Sequence, residues 1–130
     1  MDNYKNQIIQ FSKNIFENLD KGYCENIYHN AFKVELQNND IKFQSELNIP
    51  VKYKNFSIGI VRADLVIEKK IVIELKAMSS SLSEKDVYQL KKYLKLLNIP
   101  IGFLINFSQS SKKNLEMIYI VNNNVEFLNL

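Results

Sequence analysis

The chain has 130 residues, 46% of them hydrophobic and 24% charged, with a formal net charge of +3. That is the size and make-up of one globular domain, expected to span residues 1–130. With Cys24 and His29 as its only cysteine and histidine, it gives poor support to a disulfide framework, a Cys/His zinc site or a Ser-His-Asp hydrolase that needs a second histidine.

No run approaches the ~18 apolar residues of a membrane span, and the start Met1-Asp2-Asn3-Tyr4 lacks the layout of a signal peptide. A soluble, intracellular protein with no membrane partner is expected. The charge is too small to argue for nucleic acid by itself, although 16 of the 17 basic residues are lysines that one face could gather.

Tyr4, Ile8, Phe11, Ile15 and Leu19 recur at three- and four-residue steps, predicting an amphipathic helix with Asp2 or Asn3 as its cap and Gly22 as its stop or kink. A second helix is predicted from about Tyr23 to Gln37, with Ile27, Tyr28, Ala31, Val34 and Leu36 inward and Asn38-Asn39-Asp40 closing it. Glu25 lies in its first turn, where the macrodipole favours a carboxylate. His29 reads as a surface or partly packed residue and Cys24 as a small packed side chain.

From Ile41 to Tyr53 apolar and polar residues alternate, as in a long strand with one wet face. Pro50 marks an edge position or a bulge, and Tyr53 reads as a strand aromatic packed over a neighbour. Lys54-Asn55 is the turn into two β-branched runs, Ile58 to Ile67 and Ile71 to Ala77, split by Glu68-Lys69-Lys70. A polar loop then leads to Ser83, a helix cap with Asp86 three residues on. The helix carries Val87, Leu90, Leu94 and Leu97 on one stripe and Gln89 with Tyr93 on the next, and stops before Pro100. Ile101 to Phe107 has the pattern of a central strand. Leu115 to Val121 and Val125 to Leu130 flank Asn122-Asn123-Asn124 as a last hairpin. The expected order is α-α-β-β-β-α-β plus that hairpin, an α/β (α+β) architecture around one sheet.

Three charges fall within the two β-branched runs: Asp64, Glu74 and Lys76. Alternation puts Glu74 and Lys76 on one face. A three-residue connection sets Ile67 opposite Ile71, hence Asp64 opposite Glu74 and Arg62 opposite Lys76; a two-residue connection would put the carboxylates on opposite faces. Two carboxylates side by side in a sheet repel and lose hydration, a situation that a cation between them relieves. With oxygen ligands only, Mg²⁺ or Mn²⁺ is the suitable ion. The alternative is a set of cross-strand ion pairs at a sheet end.

Together with Gly22-Tyr23-Cys24-Glu25-Asn26-Ile27-Tyr28, these residues resemble the PD-(D/E)xK nuclease superfamily and, more closely, its GxxExxY family. The likeness continues through Ala31, Glu35-Leu36, Pro50-Val51, Tyr53, Arg62-Ala63-Asp64, Glu74-Leu75-Lys76-Ala77, Gln89 with Tyr93, and Gly102 to Asn106-Phe107. Asp20 stands where many members have a second glycine, and Asp86 where many have a histidine three residues before the glutamine.

The resemblance implies a restriction-endonuclease-like domain with a mixed central sheet and helices on both faces. It also implies a catalytic set of Glu25, Asp64, Glu74, Lys76 and Gln89, with Asp64, Glu74 and Glu25 as metal ligands. Tyr93 and Arg62 are the nucleic-acid contacts to expect. The implied reaction is Mg²⁺- or Mn²⁺-dependent phosphodiester hydrolysis, on DNA ahead of RNA. The competing expectation is a binding module for nucleic acid or protein that keeps the fold without turnover. A homodimer or a partner protein would help so small a chain to wrap a duplex.

Overall fold

The computed structural model describes residues 2–128 and Leu130. Two helices come first, α1 (Asp2–Leu19) and α2 (Glu25–Asn38), then strands β1 (Phe43–Tyr53), β2 (Phe56–Ile67) and β3 (Ile71–Lys76). Helix α3 (Glu84–Leu97) leads to β4 (Ile101–Phe107), β5 (Leu115–Val121) and β6 (Asn124–Leu128). The cap expected at Asp2 or Asn3 rests on side chains outside those described.

All six strands form one sheet in chain order, antiparallel except for β3 beside β4. That parallel step requires a crossover, and α3 supplies it. Helices therefore cover both faces, and each face has its own core. On one, Ile8, Phe11 and Ile15 of α1 and Tyr28, Phe32 and Leu36 of α2 bury Leu65, Ile67, Ile73, Phe103 and Phe107. On the other, Leu90, Tyr93 and Leu94 of α3 cover Val66, Val72, Leu104 and Ile118. Burying each such large apolar side chain contributes roughly 1.5–3 kcal/mol. At Gly102 a Cβ would come within 3.0 Å of Leu90, so glycine there is what lets α3 lie close on β4.

The inner face of α2 differs from expectation. Tyr28, His29, Phe32 and Leu36 are buried, while Ile27 and Val34 are exposed. The helix enters at Glu25 with its contact stripe running through 28, 32 and 36, four-residue steps that the more scattered apolar set obscured. Asp20, in a left-handed conformation (φ 57), ends α1, and Gly22 (φ 111) completes the turn. Ser83 caps α3 as expected, its backbone N–H and hydroxyl both donating to Asp86 at 2.9 and 3.1 Å.

The two-residue hairpin turns, Lys54-Asn55 and Asn122-Asn123, have positive φ at both positions, the geometry that matches strand twist. β1 is an edge strand, with a register shift at Val51/Lys52 one residue beyond Pro50. Only Leu65 to Ile67 of β2 pair with β3. The rest of the β1–β2 hairpin therefore projects beyond the sheet as an arm, and Tyr53 at its tip is exposed rather than packed.

Candidate functional site

The connection Glu68-Lys69-Lys70 sets Ile67 opposite Ile71 and Leu65 opposite Ile73, the register of a three-residue loop. The ladder then ends one step short of Asp64 and Glu74. Here both strands of the first hairpin change face. Ser45 and Leu65 belong to the α2 side, where Ser45 bonds His29 and Leu65 joins that core. Leu47 and Ala63, two residues along, pack with α3. Residues two apart on a regular strand share a face, so β1 and β2 are both twisted at the intervening Glu46 and Asp64. Glu46 shows it directly, with a φ of 54 in mid-strand, a left-handed conformation that costs roughly 1–2 kcal/mol for a residue with a Cβ.

This twist opens a fork between β2 and β3, and the two acids occupy it. Glu74 Oε2 accepts the backbone N–H of Asp64 at 3.0 Å, and Asp64 Oδ2 accepts the backbone N–H of Leu75 at 2.8 Å. Side chains thus replace the ladder bonds that the divergence removes, satisfying buried donors that would otherwise be orphaned. Glu74 is 5% exposed. Burial, and next the negative charge of Asp64, push its carboxyl up to about 9, with Lys76 opposing weakly from the same strand face. The fork therefore favours a protonated Glu74 over two ionised carboxylates.

Glu25 is placed from the other side of the sheet by a lock built from its own helix. Tyr28, one turn later, stacks on Phe107 with ring centroids 4.7 Å apart, and its hydroxyl donates to the Asp20 carbonyl at 2.7 Å. Gln109 donates to the same hydroxyl at 3.1 Å, while its Oε1 accepts the Gly22 N–H at 2.7 Å. The glycine and tyrosine of the Gly22-to-Tyr28 stretch are thus structural, holding the α1–α2 turn so that α2 begins beside the fork. The Glu25 carboxyl is raised by loss of hydration and then by Asp64, with Lys76 lowering it, which puts all three charges within one another's field.

Glu25, Asp64 and Glu74 were expected to be the ligand set, but among the described residues no group of three or more Asp, Glu, His or Cys is gathered closely enough to hold a metal. Two acids meet, and each has one oxygen turned to the backbone. The remaining oxygens of Asp64 and Glu74, and a carboxyl pushed up to about 9 by burial and by the Asp64 charge, are the features that suit a hard cation.

Other expected residues lie at varied distances from this fork. Arg62 pairs with Asn48 of β1 and reaches Glu46 at 3.9 Å; the β2–β3 ladder does not extend to a pairing with Lys76. Tyr93 is buried, its hydroxyl raised by that burial and then by Glu74 and Asp64, so its polar end senses the site while its ring belongs to the core. Gln89, one turn earlier on α3, is exposed.

Several contributors were missed. His29 is 5% exposed, 3.0 Å from the Ser45 hydroxyl, and kept neutral by burial against the pull of Asp64. Cys24, expected to be packed, is exposed at the start of α2. Asn106, fully buried beside Lys76, accepts the Met78 N–H and donates to the Ser80 carbonyl and to Glu116, tying down the loop that follows Lys76. An asparagine inside an otherwise apolar strand was the available signal.

No curated protein matches the chain. The crystal structure of SSO0001 resembles it with a TM-score of 0.53 and 22% identity, over 76% of this chain and 50% of that one, a likeness of fold. This chain thus spans about half the length of SSO0001. No described helix is long and apolar enough to cross a membrane. The family model for the PD-(D/E)XK nuclease superfamily matches residues 2–118, nearly the whole sheet and all three helices. A mixed sheet whose β2–β3 fork carries Asp64 and Glu74, followed by Lys76, is the arrangement that match covers, and the chain belongs to the PD-(D/E)XK nuclease superfamily.

Proposed function

We propose that this chain hydrolyses phosphodiester bonds in nucleic acid, with DNA as the first substrate to test, and that its residues follow the pattern of the GxxExxY family. The observation that carries the reading is the pairing of Asp64 with the buried Glu74. With Glu74 ionised, two adjacent carboxylates would cost stability unless something positive takes the place of the proton. Asp64 and Glu74 would hold Mg²⁺ or Mn²⁺, with Glu25 completing the ligand set on loading. The ion would supply Lewis-acid stabilisation of a phosphate oxygen and a lower pKa for water.

The chain's own groups do the rest. Lys76, two residues past Glu74 on the same face, points an ammonium at the place where charge develops on the phosphate, and it orients the attacking water by donating to it. Glu25 accepts from that water on the opposite side. Gln89 on α3 contacts the scissile phosphate, and Arg62 and the hydroxyl of Tyr93 contact the strand beside it. Asn106 limits the movement of the loop behind Lys76, so the ammonium is positioned before substrate arrives.

The test is incubation of the purified chain with supercoiled plasmid, single-stranded DNA and RNA, with Mg²⁺ or Mn²⁺ and with chelator. Metal-dependent nicking that Asp64→Asn abolishes supports the reading. The reading of a non-catalytic binding module is favoured by one observation, the commitment of an oxygen of each acid to the backbone. Binding without nicking under every metal condition would select it.

A further inference from the structure

The arm beyond the fork is unlike the rest of the surface. Tyr53, Phe56, Ile58 and Ile60 are 62%, 74%, 64% and 66% exposed, on the distal part of a hairpin whose base, at Leu47, Ile49 and Ala63, packs with α3. Between Glu46 and Asp64 the sequence has no acidic residue and three basic ones, Lys52, Lys54 and Arg62. Lys54 lies over the Tyr53 ring at 5.5 Å. An exposed apolar face normally signals a partner.

Two copies of this arm would bring like charges together. Pro50, the register shift at Val51/Lys52 and the lysines also blunt the β1 edge against strand addition. Aromatic rings interleaved with cations and free of acids complement a polyanion with apolar faces, which describes unpaired nucleic-acid bases on their phosphate backbone.

We infer that the β1–β2 arm is a docking element for single-stranded nucleic acid, with Tyr53 and Phe56 stacking on bases and Lys52 and Lys54 following the phosphates. The inference rests on the nucleic-acid reading above and narrows its substrate to strands with unpaired bases. β2 runs unbroken from Phe56 to Asp64, eight residue steps or ~26 Å at strand rise. At the ~3.4 Å per nucleotide of a fully stacked strand, a bound strand would cover at most roughly eight nucleotides between the fork and the tip.

The experiment measures binding of end-labelled DNA by fluorescence anisotropy in chelator, at one fixed ionic strength. Wild type and the double variant Tyr53→Ser/Phe56→Ser are compared on single strands of increasing length, on a paired duplex, and on a strand of the same length with abasic sites. Phe127→Ser, an exposed aromatic on β6, serves as the control. Stacking of one base on an aromatic changes affinity by about tenfold or more. The expected result is a wild-type affinity that rises with strand length up to roughly eight nucleotides and then levels, and that falls at least tenfold in the double variant. The abasic strand should bind both proteins equally weakly, and Phe127→Ser should bind like wild type.

Equal binding by wild type and the double variant would overturn the inference, as would a wild-type preference for duplex. So would a wild-type dimer in light scattering that the double variant dissociates without loss of DNA binding. The two readings fail separately. Arm-dependent binding without nicking in any metal refutes the nuclease and leaves the arm standing, whereas nicking with arm-independent binding does the reverse.

Discussion

Replacing Glu74 by Gln tests the electrostatics of the fork without metal or substrate. Glutamine keeps an oxygen to accept the Asp64 N–H and presents an amide to the Asp64 carboxylate, as the protonated acid does. In the folded chain Glu74 keeps its proton up to about 9, whereas in the unfolded chain it releases it near 4.5. Between those values the folded state binds the extra proton, so stability is fully present below the unfolded value and is lost as pH rises toward the folded one.

The ceiling is about 1.4 kcal/mol per pH unit, or about 2 kcal/mol from pH 7 to 8.5. For a domain of this size that corresponds to a fall in melting temperature on the order of 5–10 °C. The raised Glu25 acts in the same direction. His29, lowered by burial, destabilises only below its ordinary 6.5, outside this window. Thermal melts in chelator at pH 7, 7.5, 8 and 8.5 should therefore show wild type losing stability and Glu74→Gln staying nearly flat, so that the variant is the more stable at pH 8.5. Parallel lines for the two proteins would refute the assignment of the slope to Glu74.

Other predictions follow from the same geometry. Lys76→Ala should lower nicking by about 10²- to 10⁴-fold while shifting the melting temperature by less than about 3 °C; retained nicking would remove Lys76 from the mechanism. Saturating Mn²⁺ should raise the wild-type melting temperature and release close to one proton per ion at pH 7.5 in an unbuffered titration, because the ion displaces the Glu74 proton; equal midpoints with and without Mn²⁺ would rule out the site. Tyr28→Phe leaves the Asp20 carbonyl and the Gln109 amide each short of one partner, and should cost about 1–3 kcal/mol in urea denaturation; an unchanged midpoint would show that the lock is dispensable.

The sequence by itself determined the element order, and for local reasons. Lys54-Asn55 and Asn122-Asn123 accept the positive φ of tight hairpins, Ser83 and Asp86 cap α3, and Pro100 forbids the helix to run on. The register of β2 on β3 was legible too, since only a three-residue turn set Asp64 opposite Glu74.

What the tertiary structure decided were the matters that depend on neighbours far apart in the chain. The stripe of α2 that is buried was set by Phe107 and Gln109, some 80 residues on, which select Tyr28 and leave Ile27 outside. The solution for two adjacent acids was also tertiary. Alternation has no way to announce that β1 and β2 twist together at Glu46 and Asp64, so the reciprocal bonds to the backbone and the protonated Glu74 emerge only once the fork exists. The length of β3 decided the arm. Ile58 and Ile60 have the composition of buried strand, but β3 pairs with only three residues of β2, and a hairpin end without a third strand or a covering helix leaves both faces to solvent.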